Sequence, residues 1–316
     1  MKIAILNESF LTDRHLATLR GLGELSIYEN TETAEEAVER LKGVDIAIAD
    51  CFVAPLNKTV FKQAGTLKFL SINSTSFDMV DVVAAKEQGI AVAHVPGFST
   101  ESVAEFAFAL MLAVNRKVLM ADAAMRQAPF QIDPANQEQK KYLGFNLFGK
   151  TLGIIGLGNI GQRTAEIGRG FGMNILAYNR SKKDIKGIKQ VELKELLQTS
   201  DVISFHLPLT NETEGLITAE RLALLKPTAI LVNTSSGKLI DELALSKALR
   251  THKIAGAGLD LLADWTIKNP LLKMENIVLA PDLGFFTHES LENAADIIVK
   301  NVQAFVAGQP INIVNP

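Results

Sequence analysis

Short aliphatic runs alternate with longer amphipathic stretches along the whole chain. Residues 2–6, 25–28, 44–50 and 67–72 form apolar runs, which is typical of strands buried in a parallel sheet. The segments between them have helical spacing and end at or near a glycine, as many helices do. This alternation predicts an α/β fold.

A second series of the same kind begins at residue 151. Its predicted strands are residues 151–158, 174–178, 201–206, 229–233, 254–260 and 276–280. Two successive doubly wound parallel-sheet (Rossmann-like) domains therefore follow from the pattern. A final helix near residues 287–308 is expected to pack on the first domain. The expected domains are residues 1–98 with 287–316, and residues 99–286.

The stretch that joins the two series is predicted to be one long helix, residues 99–127. Its middle is apolar on nearly every side, which predicts burial between domains or against a second subunit. We therefore expect a homodimer formed through this helix. Residues 128–150 are polar and contain two prolines, so a loop is expected there.

Composition narrows the classes of function. Hydrophobic residues make up 47% and charged residues 21% of the 316-residue chain, and the net charge is −3. This balance favours a soluble protein and gives no basic patch for nucleic acid. No apolar run has the length of a membrane span, and the N-terminus does not resemble a signal peptide. The single cysteine, Cys51, excludes an intramolecular disulfide and a thiolate metal cluster, so a cytoplasmic location is expected.

One glycine pattern predicts a dinucleotide site. Residues 156–161 read Gly-Leu-Gly-Asn-Ile-Gly, with Gly156, Gly158 and Gly161 in G-x-G-x-x-G spacing between a predicted strand and a predicted helix. Gly156 would allow the tight turn, and Gly158 would allow a diphosphate to approach the backbone. Gly161 would allow the helix to pack close to the strand. Asn159 and Ile160 would begin the helix whose N-terminus stabilises the diphosphate charge.

The next strand ends in Asn179, Arg180 and Ser181. An acidic residue here would bind the ribose hydroxyls of NAD, and this chain has none. Because Arg180 could pair with a 2′-phosphate, the sequence favours NADP as cofactor. The alternative is that the cofactor is NAD and that Arg180 is a solvated loop residue.

Several longer motifs resemble the D-isomer-specific 2-hydroxyacid dehydrogenase family, which includes phosphoglycerate dehydrogenase and glyoxylate/hydroxypyruvate reductase. The motifs are residues 78–112, 149–161, 206–217, 231–242 and 256–260. The resemblance implies a flavodoxin-like substrate domain built from both chain ends and a Rossmann domain in the middle. It places Thr234, Ser235 and Asp260 near the nicotinamide, and His206, Pro208 and Thr213 along the ribose and diphosphate.

The catalytic positions that the resemblance implies are all changed. Where relatives have an Arg, a Glu and a His, this chain has Ser236, Trp265 and Asp282. Asp282 takes the proton donor's place, although an ordinary Asp is ionised at neutral pH. For Asp282 to act as an acid, burial or a neighbouring anion would have to raise its pKa by several units. Lys238 and His288 are the other catalytic candidates. The alternative without a catalytic role is that Lys238 is a solvated loop residue and that His288 lies on the surface in the first turn of a helix.

The loop that would bind a substrate carboxylate also differs from relatives. Ser74 and Ser76 stand where glycines are common, and Thr75 lies between them. Backbone amides could still hold an anion there. The change fits either an altered substrate preference or ordinary loop variation.

These observations leave three hypotheses. The first is an NAD(P)-dependent oxidoreductase acting on a small 2-keto or 2-hydroxy acid or a related compound, such as an imine, with atypical catalytic residues. The second is a catalytically silent dinucleotide-binding dimer with a regulatory or scaffolding role. The third is conventional 2-keto acid reduction that relies on Lys238 or His288.

Overall fold

A computed structural model describes residues 1–7 and 10–316. The predicted alternation of strands and helices is confirmed, and the chain divides into two compact units. Unit 1 contains residues 1–99 and 287–316, and unit 2 contains residues 100–286. Among the described residues, no helix has both the length and the hydropathy that a bilayer crossing would need.

Unit 1 contains a five-stranded parallel sheet and the helices that connect its strands. Its strands are β1 (Lys2–Ile5), β2 (Glu24–Ile27), β3 (Ile46–Ala49), β4 (Phe69–Ile72) and β5 (Ala91–Ala93), in the order β2-β1-β3-β4-β5. Its first helices are α1 (Asp13–Leu22), α2 (Ala34–Leu41), α3 (Lys58–Gln63) and α4 (Val82–Glu87). Every residue of β3 and β4 is buried, as expected for central parallel strands with both faces covered.

Unit 2 is a seven-stranded parallel sheet. Its strands are β6 (Thr151–Ile155), β7 (Asn174–Tyr178), β8 (Lys189–Gln190), β9 (Val202–Phe205), β10 (Ile230–Asn233), β11 (Gly256–Leu259) and β12 (Ile277–Leu279). Its helices are α5 (Thr100–Arg116), α6 (Val118–Gln127), α7 (Asn159–Gly170), α8 (Leu193–Thr199), α9 (Ala219–Leu222) and α10 (Glu242–Arg250). Short 3-10 helices cover Gln137–Tyr142, Gly237–Leu239 and Pro270–Lys273. The strand order β12-β11-β10-β9-β6-β7-β8 reverses direction between β6 and β9, which is where doubly wound folds bind ligands.

The last helix, α11 (His288–Val306), belongs to unit 1, where it packs beside α1 and over β4. Its apolar face buries Ala294, Ile298 and Val302 in one core with Ile3 and Phe69. Polar groups add a second tether, because the buried Asn301 amide donates to the His94 carbonyl at 2.9 Å and accepts from Asn312 at 2.8 Å. The C-terminal segment is therefore an integral part of the first sheet's core.

The prediction of one long helix over residues 99–127 was wrong. The chain forms α5 and α6, which are separated by Lys117 in a left-handed backbone conformation with φ 55°. Helix α5 is apolar because it packs over β10, β11 and α7 of its own unit. Helix α6 has no buried residue.

Candidate functional site

The glycine turn between β6 and α7 has the shape that a diphosphate needs. Gly156 has φ 99°, and a Cβ there would meet the His206 carbonyl oxygen at 2.4 Å. A Cβ on Gly161 would lie 1.9 Å from the Gly156 carbonyl oxygen. Beside Gly158 there is open space within 4 Å, at the start of a 12-residue helix. The first and third glycines are thus fixed by packing, and the second leaves room at a helix N-terminus.

Asn179 connects the end of β7 to this turn. Its Oδ1 accepts from the Leu157 backbone N–H at 3.0 Å, and its Nδ2 donates to the Ser181 carbonyl at 2.8 Å and Oγ at 3.1 Å. Arg180 points away to an ion pair with Glu212 at 3.0 Å, and 87% of the Arg180 side chain is exposed. Lys183, which the sequence did not single out, donates to the Leu157 carbonyl at 2.7 Å.

Two buried polar atoms near the carboxyl ends of β9 and β10 have no partner among the described residues. They are His206 Nδ1 and Thr234 Oγ1. His206 Nε2 lies 2.8 Å from Ser204 Oγ, and burial lowers the pKa of His206 to about 3, so the ring is neutral at physiological pH. Because unpaired buried polar atoms are costly, these two fit a ligand with hydrogen-bonding groups.

The remaining cofactor candidates also lie in unit 2. Ser235 Oγ donates to the Phe205 carbonyl at 2.9 Å, and Thr213 Oγ1 donates to the Pro208 carbonyl at 2.8 Å. Together with the glycine turn and the two unpartnered atoms, these residues fit a pyridine dinucleotide lying across the carboxyl ends of the strands.

Asp260 and Asp282 form a pair of carboxyl groups after β11 and β12. The Asp282 N–H donates to the Asp260 carbonyl at 2.8 Å, and Asp282 has φ 59°. The buried Asp260 carboxylate accepts from the N–H groups of Leu283 at 2.7 Å and Gly284 at 2.8 Å. Burial raises the pKa of Asp260, although these two bonds oppose the rise.

The pKa of Asp282 rises to about 6, through partial loss of hydration and then through the Asp260 charge. Its side chain nevertheless keeps contact with solvent, since the residue is exposed. An exposed carboxyl group with such a pKa can donate and recover a proton near neutrality. The pKa of Asp282 therefore shifts in the direction that an acid at this position requires.

The other catalytic candidates in unit 2 lie in well-defined loops. Ser236 is half-buried, and its carbonyl accepts from Asn233 Nδ2 at 2.7 Å. Lys238 is exposed in a 3-10 turn. Trp265 is 56% exposed in a loop that Glu242 anchors by accepting from the Ala263 N–H at 2.6 Å. Among the described residues, no ion pair holds a cation beside Asp260 or Asp282.

Unit 1 holds the predicted anion loop. The Ser76 N–H donates to Ser74 Oγ at 3.1 Å, and Ser76 Oγ donates to Asp78 at 2.9 Å. Thr75 Oγ1 donates to the Val95 carbonyl at 2.8 Å. The hydroxyl groups of this loop therefore form hydrogen bonds within unit 1 that stabilise the loop.

Of two further residues in unit 1, Cys51 and His288, only His288 was a catalytic candidate. Cys51 is free and buried, and burial raises the pKa of its thiol to about 12, so it is not a reactive thiolate. His288 is exposed in the first turn of α11, where the Thr287 side chain caps the helix by accepting from the Ser290 N–H. This is the position that the sequence predicted for His288.

The fold and the glycine turn define a dinucleotide-binding protein of the doubly wound α/β class. Residues 108–284 match the model for the D-isomer specific 2-hydroxyacid dehydrogenase NAD binding domain. A glyoxylate reductase of Thermococcus litoralis is 39% identical over 300 residues, which cover 92% of this chain and 90% of that protein. This chain therefore belongs to the D-isomer-specific 2-hydroxyacid dehydrogenase family, as its motifs indicated.

Two solved structures bear on the chemistry. An acyclic imino acid reductase in complex with NADPH and D-Arg has a TM-score of 0.92 and 36% identity, covering 99% of this chain and 100% of that one. A D-lactate dehydrogenase from Aquifex aeolicus complexed with NAD and lactic acid has a TM-score of 0.86 and 30% identity, covering 100% and 99%. Similar structures thus include an imino acid reductase bound to NADPH and a lactate dehydrogenase bound to NAD.

Proposed function

We propose that this chain uses a reduced pyridine nucleotide, preferentially NADPH, to reduce the C=N bond of a small 2-imino acid. The observation that carries the proposal is the pair Asp260 and Asp282, with Ser236 at the position where relatives have an arginine. The carboxyl groups of Asp260 and Asp282 make this site anionic, whereas the arginine of a conventional 2-keto acid reductase makes the corresponding site cationic.

The charge of the two carboxyl groups discriminates between the substrates. Reduction of a carbonyl group builds negative charge on oxygen, which a cation stabilises and two carboxylates oppose. Reduction of an imine proceeds through a protonated, positively charged nitrogen, which a carboxylate stabilises. The carboxyl pair therefore favours the imine.

Asp282 supplies the proton in this proposal. With a pKa of about 6, its carboxyl group transfers a proton to the imine nitrogen and remains beside the resulting cation as a carboxylate. The nicotinamide, when bound, supplies the hydride to the adjacent carbon, and an amine results. Solvent then reprotonates Asp282, whose side chain is exposed. His206 stays neutral and serves as a hydrogen-bonding residue of the cofactor site.

Each unit has one further role. In unit 2 we assign the nicotinamide to Thr234 and Asp260, and in unit 1 we assign a carboxylate to the loop of Ser74, Thr75 and Ser76. The NADPH complex of the similar imino acid reductase supports both the substrate class and the nucleotide. We expect the chain to act on small molecules in the cytoplasm, which rests on its composition alone.

We also propose that the chain works as a homodimer through α6 and the loop that follows it. Helix α6 has ten residues and buries none, whereas a helix this short depends on packing for its stability. Its apolar side chains Val118, Leu119 and Met125 are exposed, and a cavity of about 590 Å³ is lined by Met125, Phe130 and Ile132. Light scattering should show a dimer in the wild type and a shift towards monomer in Met125→Glu.

The test of the reaction compares two electrophiles made from one acid. NADPH consumption is followed with pyruvate or glyoxylate alone and with the same acid plus excess ammonia or methylamine, which forms the imine. We expect turnover only with the amine present, an amino acid product by chromatography, and loss of turnover in Asp282→Asn. Equal rates with and without amine would refute imine reduction.

The same experiment separates the alternatives. Conventional reduction that relies on Lys238 or His288 predicts amine-independent turnover that Lys238→Ala or His288→Ala removes. The silent dinucleotide-binding dimer is favoured by the intact glycine turn beside three changed catalytic positions. It predicts NADPH binding in calorimetry without turnover under any of these conditions.

A further inference from the structure

Both backbone polar groups of Leu157 are bound by side chains of the loop that follows β7. Asn179 Oδ1 accepts from the Leu157 N–H at 3.0 Å, and Lys183 Nζ donates to the Leu157 carbonyl at 2.7 Å. Leu157 lies between Gly156 and Gly158 in the diphosphate turn. The two side chains therefore join the loop at the adenosine end of a dinucleotide site to the diphosphate turn.

The loop that carries Lys183 is held in place from a second direction. The Lys183 backbone N–H donates to Gln190 Oε1 at 2.7 Å, and Gln190 Nε2 donates to the Ser181 carbonyl at 3.3 Å. Because Gln190 belongs to β8, the loop is braced against the sheet. The ammonium group thus has a defined position at the turn.

Lys183 also has unused capacity for an anion. An ammonium group has three donors, and the Leu157 carbonyl takes one of them while it also accepts from Gln162 Nε2 at 3.0 Å. In the part of the chain that the structure describes, no carboxylate forms an ion pair with Lys183. Arg180 differs, because its guanidinium group is already paired with the Glu212 carboxylate at 3.0 Å.

We infer that Lys183, rather than Arg180, is the cation that recognises the 2′-phosphate of NADP(H). This inference rests on the proposed dinucleotide site and names the residue that sets its preference. The ammonium group keeps its bond to the Leu157 carbonyl and gives its free donors to the phosphate. NADH has a hydroxyl at that position and gains little from the charge.

The test measures dissociation constants of NADPH and NADH by calorimetry for the wild type and for Lys183→Met. Loss of a charge-assisted hydrogen bond should weaken NADPH binding about tenfold or more. Binding of NADH should change by less than about twofold. The matched control is Lys182→Met, which removes a neighbouring exposed lysine and should alter neither constant. Lys183→Arg, which keeps the charge, should recover most of the NADPH affinity.

Three results decide the outcome. Equal weakening of both nucleotides in Lys183→Met would overturn the inference, because Lys183 would then only hold the turn. A selective loss of NADPH binding in Arg180→Met, with none in Lys183→Met, would overturn it in favour of Arg180. If the wild type binds NADH more tightly, the proposed preference for NADPH fails, while a selective loss of NADPH binding in Lys183→Met still supports the inference.

Discussion

Replacement of Asp282 by Asn should make unit 2 more stable at neutral pH while it removes turnover. The folded protein disfavours the ionised form of Asp282, since its pKa rises from 3.8 to about 6. Asn removes this charge and keeps the size of the side chain. It also tolerates the left-handed backbone at φ 59° as readily as Asp does, so the substitution adds no backbone strain.

The size and the sign of the effect follow from linkage. A rise of about 2 pKa units corresponds to at most about 3 kcal/mol of destabilisation, and solvent around this exposed side chain reduces the expected value to about 1 kcal/mol. Below pH 3.8 the carboxyl is protonated in both the folded and the unfolded chain, so the variant and the wild type should be equally stable. The advantage of the variant should grow as pH rises towards about 6 and stay constant above it.

The assay can follow unit 2 alone, because Trp265 is the single tryptophan of the chain and lies in that unit. Thermal unfolding monitored by its fluorescence should show a midpoint about 2–4 °C higher for Asp282→Asn at pH 8. A gain that is the same at pH 4 and pH 8, or a loss of stability at pH 8, would refute the reasoning.

Three other substitutions test separate parts of the structure. Gly161→Ala should abolish NADPH binding in calorimetry, because the new Cβ would lie 1.9 Å from the Gly156 carbonyl oxygen. Asp201→Asn should lower the free energy of unfolding by about 1 kcal/mol at pH 7. Burial raises the pKa of Asp201, but its hydrogen bonds, chiefly from Lys226, lower it below 3.8 overall, so urea unfolding should show this deficit vanish as pH falls through the folded-state pKa. Asn301→Leu should destabilise unit 1 by about 1–3 kcal/mol in urea unfolding, since it leaves buried polar partners unpaired.

The sequence was most informative where the signal is local. Strand and helix alternation and the spacing of Gly156, Gly158 and Gly161 depend on neighbouring residues, and the structure has the predicted strands and the turn where they were expected. The short strands β5 and β8 were not predicted. The break at Lys117 was missed because a lysine in the left-handed region carries no sequence signal. An apolar helix also looks the same from sequence whether it packs on its own sheet or on a partner.

The features of the candidate site that sequence could not supply are contacts between distant segments. The pKa of Asp282 depends on Asp260, which is 22 positions earlier in the chain, and on local hydration. Likewise, Arg180 was the obvious cation by position, but its pairing with Glu212 and the contact of Lys183 with Leu157 follow from the fold. Sequence identified the residue types, and the structure showed which of them are held together.

The place of α11 in unit 1 has a consequence for the order in which the protein matures on the ribosome. Residues 1–99 leave the ribosome first, but the core around Ile3 and Phe69 lacks the side chains of Ala294, Ile298 and Val302 until the last tenth of the chain is made. Unit 2 is contiguous and has all its strands by then. The later-synthesised unit should therefore reach its native state first, and the nascent N-terminal sheet should depend longer on chaperones.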